Sequence, residues 1–141
     1  MAANISLQAQ QILTQRFGGD SLMALATVAA DGPAVRAVNA HYEDGAFYII
    51  TDARSQKMQH IRENAAVALC GDWFTAKGVA EDRGYLLYER NAALAQRLKT
   101  AFAAWYGNGH INEQDENTHI LCVRLKSGVL FSQGTRYDLE F

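Results

Sequence analysis

The sequence predicts a mainly β, α+β protein with an antiparallel barrel or a strongly bent sheet, because strand-like runs joined by tight turns outnumber the helical segments. Three early runs are rich in small, β-branched and aromatic residues and are separated by the hairpin signals Asp31-Gly32 and Asp44-Gly45. This meander excludes a parallel doubly wound sheet, in which strands and helices alternate throughout. The three runs span residues 22–30, 34–43 and 46–51.

The remaining elements follow from periodicity and from helix-start signals. Residues 6–17 repeat apolar side chains at a spacing near 3.6 and are followed by two glycines, which predicts an amphipathic helix. Ser55 is the expected N-cap of a second helix that ends at Asn64, and Asn91 that of a third that ends at Tyr106. The polar segment 107–118 predicts a loop, either the rim of a pocket or a plain connector. Four further strands are predicted at residues 66–71, 73–81, 119–126 and 129–132, the last two around a Ser127-Gly128 turn.

Length and composition bound the class of protein. A chain of 141 residues, 49% hydrophobic and 20% charged, predicts one globular domain over residues 1–141. The net charge of −2 argues against nucleic acid as a partner. Cys70 and Cys122 lie in apolar runs without metal or redox spacing, which fits a reducing cytoplasm. The start MAANISLQAQ has no signal-peptide pattern and no run is long enough to cross a bilayer, so we expect no export and no membrane contact.

Catalytic and metal-binding motifs do not stand out. The four histidines, at positions 41, 60, 110 and 119, have no zinc-ligand spacing, so no metal site is predicted. Neither a serine or cysteine nucleophile motif nor a telling carboxylate pair occurs, which leaves hydrolytic chemistry without support. Gly107-Asn108-Gly109 follows a helix instead of a strand, so a dinucleotide fingerprint is not supported.

The segment from Thr51 to Lys57 carries the clearest chemical signal. Arg54 and Lys57 flank the start of the second helix, where the helix dipole disfavours cations, and Ser55 adds a hydroxyl. Free N–H groups, a hydroxyl and cations together suit a phosphate. A two-residue Asp44-Gly45 turn places Val38 opposite Thr51 and brings Arg36, opposite Ala53, beside Ser55. The alternative is that these residues are a plain helix cap and solvated surface charges.

Several short segments, taken together, resemble a known family by their order and spacing over residues 10–135. They are Leu25-Ala26-Thr27, Asp31-Gly32-Pro33, Arg36-Ala37-Val38-Asn39, the run from Asp44 to Thr51, Ser55-x-Lys57, the run from Asn64 to Leu69, and Gly78-Val79-Ala80. On these residues the chain resembles the FMN-binding split barrels related to pyridoxamine 5'-phosphate oxidase. Within that family it is most similar to the short proteins grouped with general stress protein 26 and the nitroimidazole-resistance reductases.

The resemblance implies a six- to seven-stranded antiparallel split β-barrel with three flanking helices. It also implies a homodimer that holds FMN in clefts at the subunit interface, and an oxidoreductase role with a small-molecule substrate or NAD(P)H. Arg36, Ser55 and Lys57 resemble the phosphate-binding positions, with Thr51 beside them. Further cofactor-binding positions implied in this way are Ala37, Val38 and Asn39 along the isoalloxazine and Trp73 from the second subunit.

The chain also departs from the oxidase pattern. His41 stands where the family pattern has a lysine, and Arg136-Tyr137-Asp138 replaces an Arg-x-His pattern that contacts the pyridine substrate. These departures argue against oxidation of pyridoxamine phosphate. Three alternatives stay open: a flavin-binding protein without turnover that acts in stress, a protein that binds the deazaflavin F420, and a haem-binding protein with His41 as the axial ligand.

Overall fold

The computed structural model describes residues 5–141, so residues 1–4, which belong to the segment inspected for a signal peptide, lie outside it. Seven antiparallel strands pair in the order β3-β2-β1-β4-β5-β6-β7, and β3 also pairs with β6, which closes the first six strands into a barrel. The prediction of an antiparallel split barrel with flanking helices is therefore confirmed. Within residues 5–141, no helix has the length and apolar character that crossing a bilayer requires.

The strands are β1 (Ser21–Ala29), β2 (Gly32–Glu43), β3 (Ala46–Asp52), β4 (Ala66–Gly71), β5 (Phe74–Tyr85), β6 (Thr118–Ser132) and β7 (Thr135–Glu140). The helices are α1 (Leu7–Phe17), α2 (Gln56–Glu63), α3 (Ala92–Ala101) and the short α4 (Ala103–Trp105). A 3₁₀ turn precedes α3 at Glu89–Asn91, and a π turn follows α4 at Tyr106–His110.

Turn chemistry sets the first hairpins. Asp44 and Gly45 have φ values of 44° and 83°, the left-handed pair that a tight two-residue hairpin turn needs. Glu43 therefore pairs with Ala46 and His41 with Tyr48, the register that the sequence predicted for this turn. The preceding turn lies one residue earlier than predicted, because Gly32 already pairs with Ala29.

The barrel interior is filled by apolar side chains from the strands and from α1. Ser6 caps α1, its side-chain oxygen accepting a hydrogen bond from the Ala9 amide at 3.1 Å. Phe17 of this helix packs against Phe47 and Phe74, with ring centroids 5.7 and 5.3 Å away. Each such buried side chain contributes on the order of 1.5–3 kcal/mol to folding. A second apolar cluster outside the barrel, which includes Leu98 and Phe102, holds α3 in place.

Three sequence predictions were wrong in the C-terminal half. The helix predicted for residues 91–106 ends at Ala101 because Phe102 leaves helical geometry, and α4 and the π turn follow. The strands predicted at 119–126 and 129–132 are one strand, β6, so Ser127-Gly128 is not a turn. Pairing with β5 and β7 on its two sides carries β6 through these residues. The last strand, β7, was not predicted.

Candidate functional site

A cavity of about 580 Å³ opens where β2 and β3 part. Their ladder ends at the His41–Tyr48 pair, after which β2 continues beside β1 and β3 continues beside β6. The pairs predicted between Val38 and Thr51 and between Arg36 and Ala53 are therefore absent from the described ladder, and that prediction was wrong. The two strands separate where this pairing was expected, and the cavity lies between them. We call it the β2–β3 cavity.

Five of the eight residues predicted as cofactor-binding line this cavity. They are Ala37, Val38, Asn39, Thr51 and Lys57. The first three come from β2, Thr51 from β3, and Lys57 from the first turn of α2. Together with Ile49 and Ile50, they make a wall that is apolar along its length and polar at the α2 end.

The polar end of the cavity holds a cation without an acidic partner. Lys57 Nζ donates to Thr51 Oγ1 at 2.8 Å, and among residues 5–141 no carboxylate lies within ion-pair distance of it. Burial lowers the pKa of Lys57, and the charge of Arg36 lowers it further, while Asp52 acts in the opposite direction. The ammonium group would therefore be stabilised by a nearby anion.

Ser55 begins α2 as predicted but does not cap it. It has the extended backbone of an N-cap residue, yet its side chain makes no capping hydrogen bond. Its hydroxyl oxygen is buried and finds no hydrogen-bond partner within the described residues. Since buried hydroxyl groups are normally paired, this group is suited to bind a ligand atom at the helix start. The first turn of α2 contains no acidic residue.

Arg36 lies on β2 and is held by neutral oxygen atoms. Its Nη1 donates to Thr27 Oγ1 at 2.7 Å and more weakly to the Leu25 carbonyl at 3.3 Å. Thr27 in turn shares a hydrogen bond of 2.8 Å with His60 Nδ1 on α2. Burial lowers the pKa of Arg36, and its charge is felt at Lys57. Arg36 is outside the set of residues that line the cavity, although it acts electrostatically on its polar end.

Arg54, the other cation near the helix start, is already neutralised. Its guanidinium group bonds to both carboxylate oxygens of Asp52, at 3.0 and 2.8 Å, and to Asp115 at 3.4 Å. The hydrogen bonds from Arg54 hold the pKa of Asp52 at about 2. Arg54 therefore ties the end of β3 to the segment before β6 and is not available to a phosphate.

The segment between α4 and β6 forms the second wall of the cavity. Asn108, His110, Ile111, Asn112 and Asp115 all line it, so the segment is the rim of a pocket, one of the two readings that the sequence left open. The Ala53 amide donates to the Asn117 carbonyl at 2.7 Å, which fixes this segment to β3. Polar composition and length pointed to a rim, but not to the residues that form it.

Trp105 also lines the cavity, although it is not among the residues predicted to bind a cofactor. At helical spacing from Phe102 it has the pattern of a core residue. The helix break at Phe102 brings it to the cavity instead. No sequence signal announces that break, because Phe102-Ala103-Ala104 contains neither glycine nor proline.

Trp73 lies apart from the residues that line the cavity. It occupies the β4–β5 turn with a φ of 51°, unusual for a bulky residue, and 71% of its surface is exposed. Its only aromatic neighbour among the described residues is Phe131, at 6.3 Å between ring centroids. Within one chain, the structure does not bring Trp73 to the other predicted site residues.

His41 belongs to a separate cluster. Its Nδ1 is 3.2 Å from the Gly19 carbonyl and its Nε2 is 3.0 Å from Glu43, so both ring nitrogens are engaged. Arg97 of α3 donates to both oxygens of the same carboxylate, at 2.7 and 3.1 Å. This His41 cluster (His41, Glu43 and Arg97) joins α3 to β2. Within residues 5–141 no group of His, Cys, Asp and Glu is arranged to hold a metal ion.

Comparison with known proteins finds one matching family model. A family model described as pyridoxamine 5'-phosphate oxidase matches residues 10–129. The comparison with curated proteins finds no match.

Solved structures share the fold at low sequence identity. General stress protein 26 from Bacillus anthracis str. Sterne is 18% identical, with a TM-score of 0.69 and coverage of 86% of this chain and 92% of that one. A NimC/NimA family protein from Clostridium acetobutylicum is 17% identical, with a TM-score of 0.66 and 92% of each chain covered. A FAD-binding protein from Mesorhizobium loti is 11% identical, with a TM-score of 0.67 and coverage of 99% and 97%. At these identities the likeness establishes the fold.

Proposed function

Because the chain belongs to the pyridoxamine 5'-phosphate oxidase family, over residues 10–129, we propose that it is an FMN-dependent oxidoreductase whose cofactor occupies the β2–β3 cavity. The phosphate would lie at the α2 end, where Ser55, Lys57 and Arg36 provide a hydroxyl and two cations. The isoalloxazine would lie along Ala37, Val38 and Asn39.

One observation carries this proposal: the Ser55 hydroxyl at the α2 end has no hydrogen-bond partner among the described residues, and the two cations there are paired only with neutral oxygen atoms. The Ser55 hydroxyl is buried and unpaired, and neither Lys57 nor Arg36 has a carboxylate within ion-pair distance among the described residues. A dianionic phosphate would accept hydrogen bonds from all three and from the free N–H groups of the first turn of α2. The residues present therefore fit this group.

The rest of the cavity suits the flat, largely apolar part of the cofactor. Val38, Ile49 and Ile50 exclude water from one wall, while the Asn39 amide provides a polar contact. Bound FMN supplies the transfer of two electrons between two substrates. The role of this chain is then to hold the ring, to shield it from solvent and to set its reduction potential through the charges around it.

We extend the proposal to a homodimer in the reducing cytoplasm, where the free thiols of Cys70 and Cys122 would persist. A second, mostly apolar groove of about 590 Å³ lies on the β1–β4–β5–β6 face. Val35 at its edge is 68% exposed. In this proposal a second copy covers this face and contributes its Trp73 to the cofactor site. Light scattering tests this, and a monomer that binds FMN would contradict it.

Oxidation of pyridoxamine phosphate itself is not proposed. Arg136 on β7 is engaged with Asp138 at 3.0 Å, in the stretch where the family pattern has its substrate-binding Arg-x-His. The substrate therefore stays open. Ligation of haem iron by His41 is disfavoured, because both of its ring nitrogens are engaged in hydrogen bonds.

The decisive experiment compares FMN with riboflavin, which has the same ring and no phosphate. The quenching of flavin fluorescence on binding should give an FMN affinity higher by more than about 10- to 150-fold, the range expected for a single charge-assisted hydrogen bond to a phosphate. Equal affinities would contradict the phosphate site, and failure of FMN to bind would overturn the cofactor assignment. Competition with F420 and the search for a Soret band after addition of haem separate the alternatives.

The enzymatic part has its own test. Anaerobic addition of NADH or NADPH to the FMN complex should bleach the flavin absorption if either one is the electron donor. Tight binding of FMN without reduction by any donor would favour a flavin store or sensor and contradict the oxidoreductase role.

A further inference from the structure

Trp105 lies at the edge of the β2–β3 cavity, where two contacts hold its indole. Its indole stacks on Phe102 with 5.0 Å between ring centroids and an interplanar angle of 30°. Phe102 is fully buried in the cluster beneath α3 and is therefore a fixed support. The indole N–H donates to Asp20 Oδ2 at 2.8 Å. One face and one edge of the indole are thus fixed by the protein.

The same carboxylate holds a second residue of the cavity. Asn39 Nδ2 donates to Asp20 Oδ1 at 3.0 Å, so each oxygen of Asp20 accepts one bond from a residue that lines the cavity. Asp20 lies in the short connection between α1 and β1. Within residues 5–141 it forms no ion pair with a basic side chain at bonding distance. Its negative charge therefore remains beside the cavity.

From this arrangement we infer that Trp105 is a ring-binding residue of the flavin site and that Asp20 is its positioning residue; the inference rests on the proposed function. Asn39 belongs to the strand assigned to the isoalloxazine, and Asp20 couples Trp105 to it. Lys57 and Thr51 define the phosphate end of the same cavity. A preorganised indole offers a flat, electron-rich surface to a flat, electron-poor ring at little entropic cost.

The test for Trp105 uses the pair of ligands with and without a phosphate. Trp105→Leu should weaken FMN and riboflavin by the same factor, about 3- to 10-fold, because it removes a contact to the ring. Trp105→Phe, which keeps an aromatic ring, should restore most of the affinity. The emission of bound flavin, quenched by a neighbouring indole, should rise in Trp105→Leu. Unchanged affinity and unchanged emission in a folded Trp105→Leu protein would overturn the inference.

The test for Asp20 measures the reduction potential of bound FMN, which would not change if Asp20 had a purely structural role. Asp20→Asn keeps the shape but removes the charge and one of the two acceptor oxygens. Because the negative charge is lost, the reduction potential of bound FMN should become more positive. Asp31→Asn, in the exposed β1–β2 turn, is the matched control and should leave the potential unchanged. Equal potentials in both variants would contradict the role of Asp20. If the wild-type protein does not bind FMN, the proposed function fails. If the wild-type protein binds FMN and the Trp105 and Asp20 variants behave like it, this inference alone fails.

Discussion

Strand β2 contributes to two clusters of charged groups that differ in how they are paired. In the His41 cluster, Glu43 accepts hydrogen bonds from His41 and from both donors of Arg97. In the second group, which we call the phosphate cluster (Arg36, Ser55 and Lys57), no carboxylate lies within ion-pair distance among the described residues. One cluster is complete within the chain and the other is not. Both clusters contain cations, so the number of charges does not distinguish them. The presence or absence of a carboxylate partner does, and it indicates a structural role for the first cluster and favours ligand binding for the second.

The pKa directions express the same contrast. Burial would raise the pKa of Glu43, but hydrogen bonds from Arg97 and His41 lower it below its ordinary value. Burial lowers the pKa of Lys57, and the neighbouring Arg36 lowers it further. The protein thus stabilises the charged form of Glu43 and destabilises that of Lys57. An anion bound at the phosphate cluster would reverse the second effect.

The largest effect is expected from Lys57→Met. FMN affinity should fall about 10- to 150-fold, because one charge-assisted hydrogen bond to the phosphate is lost, while riboflavin affinity should stay unchanged. The apoprotein should be as stable as wild type or slightly more stable, since a half-buried cation without an acidic partner is removed. Titration with both flavins and thermal unfolding of the apoprotein measure these quantities.

Arg97→Met is the matched control, because it removes a cation of the paired cluster. It should leave FMN affinity unchanged and lower the free energy of unfolding by about 0.5–1 kcal/mol, as for a partly exposed ion pair. If both variants weakened FMN binding equally, the distinction between the two clusters would be wrong.

The dependence of FMN affinity on pH should be the next largest effect. The phosphate loses its second negative charge below about pH 6, so affinity should fall on the acid side. On the alkaline side it should fall about tenfold per pH unit above the lowered pKa of Lys57, since the bound phosphate favours the protonated amine. Lys57→Arg should bind FMN without the alkaline decline, because arginine stays protonated. An alkaline decline that persists in this variant would assign it to another group.

The His41 cluster should lose its contribution to the stability of the protein at acidic pH. The pKa of Glu43 in the folded protein lies below the ordinary value of 4.5, so its stabilising effect is complete above that value and is lost as the pH falls through the folded pKa. Acid unfolding of Glu43→Gln should therefore show a weaker pH dependence than wild type below about pH 4.5. The same acid profile in both proteins would show that the cluster is not coupled to stability.

Local signals predicted most of the barrel, and long-range pairing explains the differences. Asp44-Gly45 determined its hairpin because a two-residue turn with positive φ has few solutions. Ser127-Gly128 has the composition of a turn, but neighbours on both sides keep it in strand geometry. β7 follows a Gln133-Gly134 turn, in which both residues have positive φ. Its short, polar sequence Thr135–Glu140 lacks the apolar run of a typical strand.

In the candidate site, too, local signals indicated some residues, whereas long-range contacts determine the positions of others. Helix-start chemistry pointed to Ser55 and Lys57, because both depend on a local cap and its dipole. The predicted contact of Arg36 with the helix start assumed that β2 and β3 stay paired along their length, whereas they pair only between His41 and the Asp44-Gly45 turn. Trp105 and Asp20 are 85 residues apart and meet only in the folded chain. No local pattern indicates such a contact.

The smallest effect is expected from loss of the hydrogen bond between Arg36 and Thr27. Thr27 is buried, accepts a hydrogen bond from Arg36 Nη1 at 2.7 Å and shares another with His60. Thr27→Val keeps the shape and removes the hydroxyl, so Arg36 would retain only longer bonds to carbonyl oxygens. We expect FMN affinity to fall about 2- to 5-fold with riboflavin unaffected, and the free energy of unfolding to fall by about 1 kcal/mol. Thr27→Ser should restore both, since it returns the hydroxyl. A loss of stability with unchanged FMN affinity would show that Thr27 has a structural role only. Arg36 would then bind the phosphate independently of its hydrogen bond to Thr27.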